Sequence, residues 1–169
     1  MRRILGIDPG SRVTGYGIIE SDGIKSRHIA SGCIRVAGDE FPLRLGVIYR
    51  ELSELVENYH PDEMAIEQIF VAKNPLSALK LGQARGAAIC ACVVAGLSVA
   101  EYTPRMIKQA VVGTGKADKE QVQHMVKQIL NLQEKLAADQ ADALAVALSH
   151  AHSNSTLMSL ARASGGWRR

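Results

Sequence analysis

The sequence predicts an α/β fold, a mixed five-stranded sheet with helices on both faces. Three observations carry that expectation. Residues 3–36 hold three strand-like apolar runs joined by short turns containing Gly or Asp. From residue 43 the apolar spacing switches to three and four, the helical period. Beyond that helix, two short strand-like runs recur between helical stretches. A meander followed by alternating helix and strand builds a mixed sheet covered by helices.

Residues 3–8 read as a buried strand ending on Asp8, where Pro9-Gly10 stops the apolar run. Residues 13–20 (VTGYGIIE) read as a second strand, and residues 24–36 as a third, broken near Gly32. Pro9-Gly10-Ser11 and Ser21-Asp22-Gly23 supply the turns of an antiparallel meander. Residues 43–59 read as an amphipathic helix with Leu45, Ile48, Leu52, Val56 and Tyr59 on one side and Glu51, Glu54 and Glu57 on the other. Pro61 ends it. Residues 63–67 (EMAIE) form a short strand finishing on Glu67. Residues 76–96 read as a long helix whose Gly82, Gly86, Ala87 and Ala88 let another helix approach closely. A strand over 97–102 follows, then helices over 104–112 and 118–131 separated by Gly113-Thr114-Gly115. Residues 137–151 form an Ala-rich helix. Residues 1–152 are therefore expected to fold as one domain, with 153–169 a weakly ordered C-terminal tail.

A chain of 169 residues, 47% hydrophobic, suits a single domain with a substantial core. No apolar run reaches the roughly 20 residues that a membrane span needs. Met1-Arg2-Arg3 leads straight into a strand without a signal-peptide pattern. The odd cysteine count (Cys33, Cys90, Cys92) matches no zinc spacing and fits reduced, mostly buried thiols in a cytoplasmic protein. The net charge of +3 is unevenly spread, with −6 over residues 39–68 and +5 over residues 69–135. The basic block is a candidate polyanion-binding face or an ordinary solvated helical surface.

The chemistry-bearing residues are acidic. Asp-Pro-Gly forms turns readily, so Asp8 reads either as a turn residue or as a carboxylate held at a strand tip. Glu67 stands at the equivalent end of its strand, flanked by Ile66 and Ile69. In "AADQADALAVAL", Asp139 and Asp142 are three apart and share a helix face among Ala and Leu. Near the first helical turn both acids also gain from the helix dipole, which is their ordinary structural explanation. If the four converge, they raise one another's pKa values, and divalent cations remove that penalty. An all-oxygen donor set favours Mg²⁺ or Mn²⁺ over zinc.

The blocks "ILGIDPGSRVTGYGII", "AIEQIFVAKNPLSALKLGQARGA", "IKQAVVGTGKADKEQVQHMV" and "ADQADALAVAL" resemble the RuvC family of bacterial Holliday-junction resolvases, in order and nearly to His152. The resemblance implies a ribonuclease-H-like fold over residues 1–152. It implies a homodimer that makes paired symmetric nicks in four-way junction DNA and works with the branch-migration proteins RuvA and RuvB. It implies Mg²⁺ dependence, with two ions per active site and Mn²⁺ as a substitute. Carried over by position, Asp8, Glu67, Asp139 and Asp142 match the family's catalytic, metal-binding acids, and Lys108 and Lys119 match lysines implicated in DNA binding or catalysis. Phe70 matches an aromatic that stacks on unpaired bases near the crossover; composition alone makes it a core residue.

Weaker phosphate-contact candidates are Lys73, Lys80, Arg85 and Lys116, with Ser11, Arg12 and Thr14 after Asp8. "GTGK" fails as a phosphate loop, because Ala110 stands where the first Gly belongs and Ala117 replaces Ser or Thr. Two other functions compete. Asp-x-Gly after a strand also occurs in actin-like ATPases and sugar kinases, which need two such domains and a longer chain. A DNA-binding module without catalysis would be weakened by four converging acids.

Overall fold

The computed structural model describes residues 1–38, 40–69 and 74–164, with side chains to Ser153. Its sheet has five strands: β1 (Arg2–Asp8), β2 (Val13–Ser21), β3 (Ser26–Arg35), β4 (Glu63–Glu67) and β5 (Ser98–Tyr102). They lie in the order β3-β2-β1-β4-β5. β1 is antiparallel to β2, and β2 to β3, while β4 runs parallel to both β1 and β5. The helices are α1 (Phe41–Tyr59), α2 (Pro75–Val94), α3 (Pro104–Val112), α4 (Lys119–Leu130) and α5 (Ala138–Ser164).

Strand alternation sorts side chains into two cores. Leu5, Ile7, Met64 and Ile66 point toward α1 and α2, where they meet Ile48, Leu52, Ala84 and Ala88. Ile4 and Ala65 point the other way, toward Leu144, Val146 and Leu148 of α5 and Val122 and Val126 of α4. The same parity puts Asp8, four residues after Ile4, and Glu67, two after Ala65, on the α5 face at the carboxyl ends of their strands. Ile7 pairs with Ile66, so the two acids leave the sheet side by side.

α5 lies directly on the sheet because glycines remove the side chains beneath it. A Cβ on Gly6 would stand 2.2 Å from the Ala143 carbonyl oxygen, and one on Gly15 only 2.0 Å from the Asp139 carbonyl oxygen. Gly15 is the register partner of Asp8. The contact that seats the helix therefore also seats Asp139 over the tip of β1.

Several expectations change. α5 does not stop at 151: the helix continues to Ser164 through most of the expected tail. A helix once formed propagates cheaply through polar residues, and residues 153–164 contain no Gly or Pro to stop it. The irregularity of β3 is not at Gly32, which pairs regularly with Tyr16; the register shifts between Ile18 and Ile19, leaving Ile29 as the extra residue. α1 ends through His60 in a left-handed cap one residue before Pro61. The thiols are not mostly buried: Cys90 is exposed, Cys33 half-buried, and only Cys92 buried. Among the described residues no helix is long and apolar enough to cross a membrane.

Candidate active site

Asp8 and Glu67 open into a cleft of roughly 340 Å³, and Asp139 and Asp142 of α5 line its far wall. Lys108 of α3 and Lys119 of α4 complete its polar rim, with Pro104, Ile107, Val122 and Ala145 beneath. The first turn of α5 is held by Gln140, whose side-chain oxygen accepts from the Ala137 N–H at 3.1 Å and whose amide donates to Ser31 of β3 at 2.8 Å. That brace fixes the residue between the two helical acids. Asp139, in the first turn, faces the positive end of the helix dipole.

Lys119 is placed by the local sequence. Asp118 caps α4 by accepting from the Gln121 N–H at 2.8 Å, and Gln121 returns the bond in a capping box. Lys119 then starts the helix with its Nζ 3.4 Å from Asp142 Oδ2. Its side chain is 77% exposed, and a pair at that distance and exposure contributes under about 1 kcal/mol. Lys119 is therefore available to an incoming phosphate.

The electrostatics are those of crowded acids. Burial first, then Glu67, Asp142 and Asp139, push the Asp8 carboxyl up to about 8. Burial also pushes Glu67 upward, against the pull of Lys119 and Lys108. Asp142 pulls the Lys119 ammonium upward. Among the described residues no three His, Cys, Asp or Glu side chains stand ready as a ligand cage. Asp8 and Glu67 instead stand close enough that each shifts the other's protonation. Such crowding leaves the cleft short of positive charge. Hard carboxylate oxygens deprived of water and pushed together fit a divalent cation, whose charge would offset that repulsion.

The remaining candidates divide. Ser11 is half-buried, Arg12, Lys116 and Lys80 are exposed, and neither Ser11 nor Arg12 lines the cleft; the Lys80 ammonium lies 5.8 Å from the centre of the Phe41 ring. Thr14 does not face outward. It is buried, and its hydroxyl donates to the Gly10 carbonyl at 3.0 Å, closing the turn behind Asp8. Arg85 is also engaged, with its Nε donating to the Glu67 carbonyl at 3.2 Å and its terminal nitrogen paired with Glu101. Phe70 and Lys73 lie outside the described residues. Sequence reading missed Gln140 and the seat under Asp139. Gly15 faces Asp8 only in the observed register, across six intervening residues, a connection whose length the sequence does not fix.

The model of the family described as "Crossover junction endodeoxyribonuclease RuvC" matches residues 4–150. A crossover junction endodeoxyribonuclease RuvC of Alkalilimnicola ehrlichii is 61% identical over 152 residues, 90% of this chain and 92% of that one. A protein of the same name from Dichelobacter nodosus is 62% identical over 155 residues, 92% of this chain and 88% of that one. The T. thermophilus RuvC structure in complex with a Holliday junction substrate superposes with a TM-score of 0.87 at 33% identity, covering 92% of this chain and 96% of that one. Fold, acidic cleft and sequence agree, and the chain belongs to the RuvC family of crossover junction endodeoxyribonucleases.

Proposed function

We propose that this protein resolves four-way DNA junctions by hydrolysing one phosphodiester in each of two symmetry-related strands, using the cleft of Asp8, Glu67, Asp139 and Asp142. The observation that carries this reading is the meeting of four carboxylates and two lysines, from five separate elements, in one cleft. A family relative of the same fold is itself bound to such a junction. Water attacks phosphorus, the P–O3′ bond breaks, and the 3′ oxygen takes up a proton, leaving a 5′-phosphate and a 3′-hydroxyl that a ligase can seal.

The four acids would hold Mg²⁺, two ions per site, with Mn²⁺ able to substitute. Such ions supply charge neutralisation at the phosphate and a water made more acidic. The chain's own part is preorganisation. β1 and β4 hold Asp8 and Glu67 in register, and α5 presents Asp139 and Asp142 from above. Lys108 and Lys119 oppose the charge that develops on the phosphate oxygens. Lys119→Ala is expected to lower kcat more than binding, with a loss of about 10- to 100-fold. An equal loss in both would make Lys119 a simple phosphate contact.

Two symmetric cuts require two sites, which a twofold dimer supplies at fixed spacing. α2 has room for the partner copy. Its Ala84, Ala88 and Ala91 are spent on the protein's own core, but added Cβ atoms on Gly82 and Gly86 would meet nothing within 4 Å. Leu76 and Leu79 beside them are 60% and 65% exposed. Cooperation with RuvA and RuvB in the cytoplasm belongs to the same reading. Phe70 would stack on bases unpaired at the crossover; Phe70→Ala should weaken cleavage more than binding, and unchanged cleavage would assign Phe70 to packing.

The test is a synthetic four-way junction in Mg²⁺, beside a linear duplex of the same sequence. Paired nicks at symmetric positions in the junction alone, closed afterwards by ligase, are the expected result. Equal cutting of the linear duplex would refute structure-specific resolution.

A further inference from the structure

We infer that Arg85 is a positioning residue that sets Glu67 in the acidic cleft, and that it does not bind a DNA phosphate. Arg85 sits in the basic block and reaches the end of β4. Two of its three guanidinium nitrogens, however, are already engaged. Nε donates to the Glu67 main-chain carbonyl at 3.2 Å, and the terminal NH2 group is paired with Glu101 of β5. The Arg85 side chain is only 19% exposed, against 77% for Lys119. It does not line the cleft that Lys108 and Lys119 border.

The geometry gives the link from α2 to the acids. Glu101 and Glu67 belong to neighbouring strands, in which Ile66 pairs with Glu101 and Glu67 with Tyr102. The planar fork of Arg85 therefore spans β4 and β5 from below, on the α2 side. On the other side of the Glu67 peptide, the Gln68 N–H donates to the Tyr102 carbonyl at 2.8 Å. Together these bonds fix the last peptide of β4, so the Glu67 carboxylate leaves the sheet at one angle toward Asp8. A lysine at position 85 would carry the charge, but its three donors sit on one nitrogen and lack the rigid planar fork that reaches the two partners from separate nitrogens. Supporting groups of this kind typically control metal affinity or activity by about 10- to 100-fold.

The inference rests on the junction-cleaving reading, and the experiment separates the two. Arg85→Ala, Arg85→Lys and Glu101→Gln would be compared with the wild type in three measurements. One is the Mg²⁺ concentration that half-saturates thermal stabilisation without DNA. The second is the Mg²⁺ dependence of junction cleavage. The third is the salt slope of junction binding without divalent ions. Arg85→Ala and Arg85→Lys are expected to need about 10-fold or more Mg²⁺ in the first two measurements, and Glu101→Gln a smaller excess, with the salt slope unchanged. A slope lowered by about 1 with an unaltered Mg²⁺ requirement would make Arg85 a phosphate ligand and overturn the inference. Full rescue by lysine would also overturn it, because charge alone would then suffice. The DNA-free titration reads Arg85 even if the wild type proves inactive on junctions, and that inactivity would count against the proposed function alone. If Arg85→Ala fails to fold, Arg85→Lys and Glu101→Gln decide the question.

Discussion

Asp8→Asn is expected to abolish junction cleavage, by about 10³-fold or more, while junction binding persists. A loss of that size corresponds to about 4 kcal/mol of transition-state stabilisation. The substitution keeps the volume, so the turn held by Thr14 and Gly10 stays closed. It removes one carboxylate oxygen from the cleft that Asp8 shares with Glu67, Asp139 and Asp142. Metal-free binding should change little below about pH 8, where the Asp8 carboxyl already holds its proton and carries no charge for the amide to remove. Gel-shift and nicking assays on the same junction measure both quantities. Full cleavage by the variant would remove Asp8 from the chemistry.

The same substitution has a pH signature in the metal-free protein. In the folded chain the Asp8 carboxyl is pushed up to about 8, chiefly by burial and then by Glu67, Asp142 and Asp139. Its ordinary value is 3.8. Between those values the folded state holds a proton that the unfolded state has released. Unfolding free energy therefore falls as pH rises. The contribution is complete below about pH 4 and is lost as pH passes through about 8. In a chain of this size 1 kcal/mol moves Tm by roughly 2–4 °C, so metal-free wild type should lose several degrees between pH 5 and 8. Asp8→Asn should lose much less over that range. Mg²⁺ should raise the Tm of the wild type more at pH 8 than at pH 6, because at lower pH it competes with the proton. A Tm with the same pH dependence in both proteins would show that Asp8 is not the group that holds the proton.

Much of this site was legible because it rests on parity and period. The alternation of β1 and β4 dictates that Asp8 and Glu67 leave one face, and spacing by three joins Asp139 to Asp142. Element boundaries set by Pro and Gly came close: β4 and α3 begin and end as read. What escaped depends on partners distant in sequence. Arg85 looks like a free cation until β5 brings Glu101 beside it. Thr14 looks like a hydroxyl free to meet a phosphate until the turn folds Gly10 back onto it. The continuation of α5 to Ser164 runs through Ser153-Asn154-Ser155-Thr156, a polar stretch that local composition marks as a loop. Gln140, 109 residues from Ser31, has no local sign of its role as a brace.

Gly15→Ala should inactivate the enzyme from the strand that carries none of its acids. A methyl group at position 15 would lie 2.0 Å from the Asp139 carbonyl oxygen and 3.2 Å from the Asp139 Cβ. The first obstacle is backbone, so no rotamer change relieves it, and either β2 or the first turn of α5 must move by an ångström or more. Overpacking of this kind costs about 1–3 kcal/mol, which a domain with ordinary stability survives. Activity has less margin, because the displaced turn carries Asp139 and lies one turn before Asp142. Errors of about 1 Å in a catalytic constellation cost on the order of 100-fold in rate. The expected variant is folded, with a lowered Tm, normal junction binding and cleavage reduced about 100-fold or more. Gly46→Ala is the control, since its added Cβ meets nothing within 4 Å on the exposed side of α1. Because a mid-helix alanine is favoured over glycine by roughly 1 kcal/mol, that control should gain stability and keep full activity. Cleavage by Gly15→Ala at the wild-type rate would mean that α5 does not need its seat on β2 to present Asp139.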